Sequence, residues 1–395
     1  MKGNIAVFLC VLFLLPSAFL SAEESGRSLF EIIAEEGAED AIPKVERDME
    51  SRFAVYNRLF HFNPDLLPSP LRVRVFADKG AYDSYVYERL GFMAPGAVYF
   101  HYGRSALREL AICVDGSGEE AMLSHQAFIQ FLRGFIPNPP TWLLEGLGIY
   151  FSSLRLNYLS LAEYEENLLP LEAAKSYGER LPSPAEILSA LSTQDAAAKA
   201  INADSSSIDF RIASWAFVSF LLNGTRDYYR ALTDSFLFLL PEASTEENTI
   251  AAFNRFSLQN NMEEMDRDFR NYIGTRKTFR ELMEEGQGAY SRHDNMSAEL
   301  SFLTAKNQRP SDYAPYYYLG LLSYDGKNYS LAERYYLDSM ERGADAALVN
   351  FALGNNAAAA GRYSEAAEYL RKASAMDPPR YKARADSLLL RIGQR

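Results

Sequence analysis

The stretch YAPYYYLGLLSYDGKNYSLAERYYLDSMERGADA, residues 313–346, decides the reading of this chain, because its skeleton recurs 34 residues earlier and 34 residues later. Gly286, Gly320 and Gly354 hold one column of that register. Ala298, Ala332 and Ala366 hold a second, Phe302, Tyr336 and Leu370 a third, and Ala305, Ser339 and Ala373 a fourth. Glycine and alanine at fixed offsets let two antiparallel helices approach closely, while the large residue fills the space between neighbouring units. A period of this length therefore predicts stacked helix pairs. Leu319 and Leu353 put an apolar residue before the glycine, whereas Glu285 does not, so the first unit is atypical. Pro310 and Pro378 stand at the closing turns of the first and third units, where Ala344 departs in the second.

The register resembles the tetratricopeptide repeat. That resemblance implies an all-α solenoid of three repeats, 279–312, 313–346 and 347–380, followed by a capping helix over Tyr381–Ile392. Terminal repeats need a solvated outer face, which such a helix supplies. The solenoid would recognise a protein or peptide in its groove. Tyrosine is favoured at interfaces because it joins a large ring to a polar tip. Core positions of the repeat account for Tyr316, Tyr329 and Tyr336, which leaves Tyr313, Tyr317, Tyr318 and Tyr324 free to face outward as candidate partner-binding residues. A peptide, a sugar or plain packing could each occupy that face.

Upstream stands a motif from which chemistry has been removed. In HExxH on a helix, two histidines one turn apart bind zinc and the glutamate activates the metal-bound water. Here Leu123-Ser124-His125-Gln126-Ala127-Phe128-Ile129 keeps the first histidine, replaces the glutamate by Gln126 and replaces the second histidine by Ile129. Gln126 has the shape of a glutamate without its basicity, and Ile129 has no lone pair. The following run, Trp142-Leu143-Leu144-Glu145-Gly146-Leu147-Gly148-Ile149-Tyr150-Phe151, is similar to the second active-site helix of the gluzincin metallopeptidases. The resemblance spans about residues 45–275 and implies that Glu145, 20 residues after His125, holds the third-ligand position. A catalytic zinc needs three protein ligands and a water, so loss of one ligand together with the base implies a pseudo-peptidase with no catalytic residues and no cofactor. Zinc would return only if His61 or His101 joined His125 and Glu145. Without metal, His125 is a packed histidine among Met122, Phe128, Ile129 and Leu132, or forms a buried hydrogen-bonded pair with Glu145 that replaces the metal as a clip.

The rest of the chain fits around these two motifs. Val45, Met49, Phe53, Tyr56 and Phe60 recur at helical spacing, so residues 44–62 form an amphipathic helix stopped by Asn63-Pro64. Leu71, Val73 and Val75 alternate with Arg72 and Arg74 as a half-buried strand, and further strands are expected near Ala97–Tyr102 and Glu109–Val114. Residues 156–278 read as mostly helical, with a buried helix over Ile212–Leu222, another opened by Leu181-Pro182-Ser183-Pro184, and a polar loop over 202–207. The fold class is thus α+β but predominantly helical: a small sheet with the helices of a minimal gluzincin-like domain (23–155), a helical continuation of that unit (156–278), and the repeats (279–395).

Residues 1–22, a short positive start, an apolar run from Ile5 to Leu15 and the small-residue exit Ser17-Ala18-Phe19-Leu20-Ser21-Ala22, have the layout of a secretory signal peptide. An uncleaved anchor is the competing reading, and the only route to a membrane. Cys10 lies inside the apolar run, which leaves Cys113 alone, without an internal disulfide partner, on a predicted strand. The chain carries 40 Lys and Arg against 52 Asp and Glu, a net −12 that becomes −13 once Lys2 leaves with the leader. Such a charge, with no basic cluster, argues against nucleic acid. The expectation is an exported, non-catalytic scaffold that binds a protein partner in the periplasm or cell envelope. Its rivals are a zinc hydrolase with an atypical site and a wall- or glycan-associated structural protein.

Overall fold

The computed structural model describes residues 28–114, 120–136, 139–157, 159–163, 166–190, 209–224, 254–258 and 260–393. The predicted leader and the polar loop at 202–207 lie outside the described residues. The chain divides into two compact units, one of residues up to Pro137 with Leu154–Glu163, the other of Asn138–Ser153 with Tyr164–Arg395. This division differs from the boundary drawn from sequence at 155/156. The helix that carries Trp142 and Glu145 belongs with the helical half, for a packing reason given below.

The first unit is built on a four-stranded sheet. In chain order it runs β1 (Phe30–Ala34), α1 (Ile42–Phe60), β2 (Leu71–Phe76), α2 (Lys79–Leu90), β3 (Ala97–Phe100), β4 (Glu109–Cys113) and α3 (Glu120–Phe135), with a small pair β5 (Arg155–Leu156) and β6 (Ala162–Glu163). The sheet order is β1-β2-β4-β3. β2 lies parallel to both neighbours, Val73 in register with Ile32 on one side and Leu110 on the other, whereas β3 closes the edge antiparallel to β4. Parallel neighbours need a crossover, and α1 and α2 supply it. Every residue of β4 is buried, Glu109 included. That carboxylate accepts from Arg74 Nε at 3.0 Å and from the Tyr85 hydroxyl, so the buried charge is satisfied.

Helix α1 buries Val45, Met49, Phe53 and Tyr56, and ends at His61 in the left-handed region (φ 51°). Its aromatic face meets α3: Phe53 and Phe131 stand edge to face at 5.2 Å, as do Tyr56 and Phe128 at 5.4 Å, and Phe62 stacks on Phe135 at 4.6 Å. Each such pair adds about 0.5–1.5 kcal/mol beyond the burial of its area. The buried Tyr56 hydroxyl donates to the carbonyl of Ser124 at 2.8 Å, and Ser124 Oγ to that of Leu154 at 2.8 Å, which pins the residue before His125.

Among the described residues the second unit contains helices and no strand. It comprises α4 (Thr141–Phe151), α5 (Leu171–Tyr177), α6 (Pro184–Ser189), α7 (Phe210–Asn223) and α8 (Met262–Thr275). Three hairpins follow, α9 (Phe279–Ser291) with α10 (Asn295–Gln308), α11 (Tyr313–Asp325) with α12 (Tyr329–Glu341), and α13 (Ala346–Ala359) with α14 (Tyr363–Met376), before the cap α15 (Pro378–Gly393). Gly146 lets α4 and α7 touch, for a Cβ there would fall 2.5 Å from the Ser214 carbonyl oxygen. Trp142, one turn before it, is fully buried and packs edge to face on Phe217 at 5.4 Å. This is why α4 sorts with the helices. Among the described residues no helix is long and apolar enough to cross a membrane.

The repeat columns have a direct structural meaning. A Cβ on Gly286 would lie 2.5 Å from the Phe302 ring, on Gly320 2.5 Å from the Tyr336 ring, and on Gly354 2.7 Å from Leu370. The large residue of the third column therefore roofs the glycine of its own hairpin, a closer role than the filling between repeats expected from sequence. It does both in the first repeat, where Phe302 also stacks on Tyr318 of the second at 4.8 Å. Thr278, Asp294, Asp312, Asn328 and Asp345 cap five of these helices by accepting backbone N–H bonds, so each repeat restarts on a side-chain signal. The region has the tetratricopeptide architecture: paired helices in a 34-residue register.

Candidate functional site

On α3, His125, Gln126 and Ile129 are all half-buried. Gln126 is a structural staple, for its Oε1 accepts the backbone N–H of Tyr99 at 3.0 Å. Tyr99 lies on β3, the edge of the sheet, where an outward N–H has no strand to receive it. Gln126 Nε2 approaches Met122 Sδ at 3.9 Å. His101, just past the end of β3, has its pKa pushed down to about 4, first by burial and then by the guanidiniums of Arg133 and Arg108. The field that repels a proton there repels a metal cation too. His61, the other residue considered as a ligand, is exposed at the C-terminal cap of α1.

Glu145 lies in the second unit, on α4. Its carboxylate pairs with Arg211 Nε, in the first turn of α7, at 3.1 Å, a partner not anticipated from sequence. The surrounding motif is explained by packing, since Trp142 and Gly146 are the positions that dock α4 on α7. Among the described residues no group of three or more His, Cys, Asp or Glu side chains comes together in a way that could hold a metal. The residues at the resembling positions do not fit zinc: Ile129 has no donor atom, and the Glu145 carboxylate is held by a guanidinium. Cys113 is buried on β4, beside Tyr82 and Phe100.

A second polar cluster in this unit went unseen in the sequence. Glu166 receives Arg276 through Nη2 at 2.8 Å and Nη1 at 3.1 Å, and Asn223 Nδ2 at 3.2 Å. The buried Ser219 hydroxyl donates to the same carboxylate and accepts from Arg276 Nη1 at 2.8 Å. Tyr272 donates to the Ser219 carbonyl at 3.0 Å, and its pKa is pushed up to about 12 by burial and by Glu166. No imidazole faces Ser219 in this cluster, so the hydroxyl is a joint between helices rather than an activated nucleophile.

The repeats carry the remaining candidate surface. On the first-helix side of the stack α9 touches α11, and α13 touches the cap α15. That side is apolar and incompletely covered, with Tyr317, Leu321 and Tyr324 of α11 and Leu348 and Phe351 of α13 half-buried against the cores. The predicted partner-binding tyrosines are therefore not equivalent. Tyr313 is exposed (41%), Tyr318 is engaged by Phe302, Tyr317 packs against Tyr336 at 5.8 Å, and Tyr324 against Tyr329 at 6.1 Å. Tyr316 and Tyr336 are buried as expected, while Tyr329 is only half-buried.

No family model matches the chain, and no curated protein matches it in sequence. Among solved structures, the TPR domain of Arabidopsis OM64 is similar at 18% identity and a TM-score of 0.28, over 29% of this chain and 94% of that one. YrrB, described as a TPR protein with an unusual peptide-binding site, is similar at 16% identity and a TM-score of 0.27, over 51% of this chain and 99% of that one. Likeness at these scores carries no argument of its own. The repeat architecture stands on the helix register and the glycine contacts.

Proposed function

We propose that the protein is an exported, non-catalytic scaffold, a gluzincin-like unit whose chemistry has been lost joined to tetratricopeptide repeats that hold an extended segment of a partner protein in the periplasm or cell envelope. The observation that carries the binding half is the apolar side of the stack. Tyr317, Leu321 and Tyr324 of α11 and Leu348 and Phe351 of α13 are half-buried apolar side chains on first helices, with Phe351 packed beneath Tyr381 of α15. Such faces on soluble proteins mark interaction sites. The non-catalytic half is supported by Gln126, Ile129 and Arg211, which respectively staple the sheet edge, offer no lone pair and pair with the Glu145 carboxylate. Export rests on the layout of residues 1–22.

Zinc content per chain, measured beside the Gln126→Glu, Ile129→His double variant, tests the first half. The expected result is no zinc in the natural protein. Stoichiometric zinc together with hydrolysis of peptide substrates that is lost on Glu145→Ala would overturn it in favour of the zinc hydrolase. Selection of displayed random peptides on the intact protein tests the second half, with Leu321→Glu as the control that inserts a charge into the face. Failure to enrich any clone, or equal retention by Leu321→Glu, would remove the scaffold reading. Mass spectrometry of the exported chain, expected to begin at Glu23, tests the leader.

A further inference from the structure

The first unit holds a crevice between α3 and the end of the sheet where β3 turns into β4. It is walled by Ser69 and Arg72 around the start of β2, Tyr99 of β3, Ser105 and Arg108 of the turn, and Gln130 of α3. Its enclosed part has room for about one water-sized group. No described aspartate or glutamate lines it.

Gln130 gives the crevice its chemistry. The residue is 1% exposed, and its Nε2 donates to the Arg72 carbonyl at 2.7 Å, which fixes the amide. Its Oε1 has no hydrogen-bond partner among the described residues. Reversing the amide would set two oxygens against each other at Arg72, so the atom left over is an acceptor. A buried acceptor without a donor costs about 1–3 kcal/mol, and a bound group that supplies the donor recovers that cost.

The rim is positive. Arg108 is half-buried, and its Nε donates to the Tyr102 carbonyl at 2.7 Å, which anchors the guanidinium and leaves both Nη groups without a partner among the described residues. Arg72 is already neutralised by Glu31 at 3.0 Å. The fields of Arg108 and Arg133 both reach Tyr99, and after burial they are what pushes the pKa of His101 down to about 4. Burial pushes the pKa of Tyr99 up to about 12, so its hydroxyl keeps its proton and can donate.

We propose that this crevice binds a small hydroxy acid, whose hydroxyl enters the enclosed part and donates to Gln130 Oε1 while its carboxylate stays at the rim on Arg108. A hydroxyl matches the space, whereas an amide N–H would bring the rest of its chain into it and an ammonium would meet the guanidinium field. A guanidinium takes a carboxylate through two parallel N–H groups, and Arg108 has its two Nη groups to offer. These residues all belong to the first unit, so the site is independent of the repeats and of what they bind.

The test uses the intact protein and a matched set of acids: glycolate, methoxyacetate, acetate and glycine. Methoxyacetate keeps the oxygen without its proton, acetate lacks both, and glycine puts an ammonium in their place. Ligand-observed NMR titrations are expected to show glycolate binding about ten-fold tighter than the others, and Arg108→Gln weakening glycolate by about ten-fold. Circular dichroism of Arg108→Gln checks that the variant is folded. Equal binding of the whole set would show that no donor to Gln130 is needed, and unchanged glycolate binding in Arg108→Gln would show that the rim holds no carboxylate; either overturns the proposal. Binding of none of them would leave the crevice to a buried water only, which overturns it as well.

Discussion

At position 126 an amide stands where a zinc peptidase would need a carboxylate, and its oxygen holds the Tyr99 N–H at the sheet edge. Gln126→Ala leaves that donor without its acceptor and is expected to lower stability by about 1 kcal/mol, read from urea denaturation. Gln126→Glu keeps an acceptor in place and should be near neutral, so equal midpoints for the alanine variant and the natural protein would show that the bond contributes nothing. His101 adds a pH dependence of definite sign. Its folded pKa, about 4, lies below the ordinary 6.5, so protonation favours the unfolded chain. Its contribution is complete above pH 6.5 and is lost as the pH falls towards 4. The urea midpoint of the natural protein should therefore fall more steeply through that window than that of His101→Gln, and parallel curves would refute the assignment. That Gln126 offers no basic carboxylate and Ile129 no lone pair follows from residue type alone. The partners Tyr99 and Arg211 could not be read that way, since they lie 27 and 66 residues away from the side chains they meet.

Whole elements were legible where a pattern had only one physical solution. The glycine columns are the clearest case, because 34-residue spacing of glycine against a large side chain forces a helix pair closed on that glycine. Gly320→Ala places a methyl group 2.5 Å from the Tyr336 ring and is expected to cost about 1–3 kcal/mol. Shortening the roof in a Gly320→Ala, Tyr336→Leu variant should recover part of that loss, as Leu370 already roofs Gly354. A double-variant midpoint no higher than that of Gly320→Ala would show that the clash is relieved elsewhere. Two elements of the first unit escaped the sequence reading. β1 is five residues at the sheet edge, Phe30–Ala34, with a burial pattern that does not alternate. α2 buries only Tyr82 and Val86 against the sheet, too narrow a stripe to register as an amphipathic helix. The tyrosines of α11 were legible as a cluster but not one by one, because burial of Tyr318 depends on Phe302 of the preceding repeat.

In the second unit, helices α4 to α8 and the repeats form one compact body, and the polar cluster around Glu166 is positioned to couple them. Arg276 sits between α8 and the capping residue Thr278 of α9, and its guanidinium reaches Glu166 and Ser219 of α7. On the surface, Lys175 of α5 donates to both oxygens of Glu281 at 2.7 and 2.8 Å, and Arg280 pairs with Glu172 at 2.8 Å. Exposed pairs contribute about 0.2–1 kcal/mol each, so the half-buried Glu166 cluster carries most of the polar coupling. Glu166→Ala leaves Arg276 without its counter-charge and is expected to cost about 3 kcal/mol or more. The loss should be local in its first effect. The chain's two tryptophans, Trp142 and Trp215, lie on α4 and α7, so their fluorescence reports on the helices nearest the cluster. Hydrogen exchange separately reads the amides of α11 to α15. In the natural protein the two signals should be lost together with rising urea, as one body unfolds. In Glu166→Ala the fluorescence transition should move to lower urea while the repeat amides keep their protection, because each repeat rests mainly on its neighbours. A variant in which both signals still fall together, at an unchanged midpoint, would mean that apolar packing alone joins the repeats to the preceding helices.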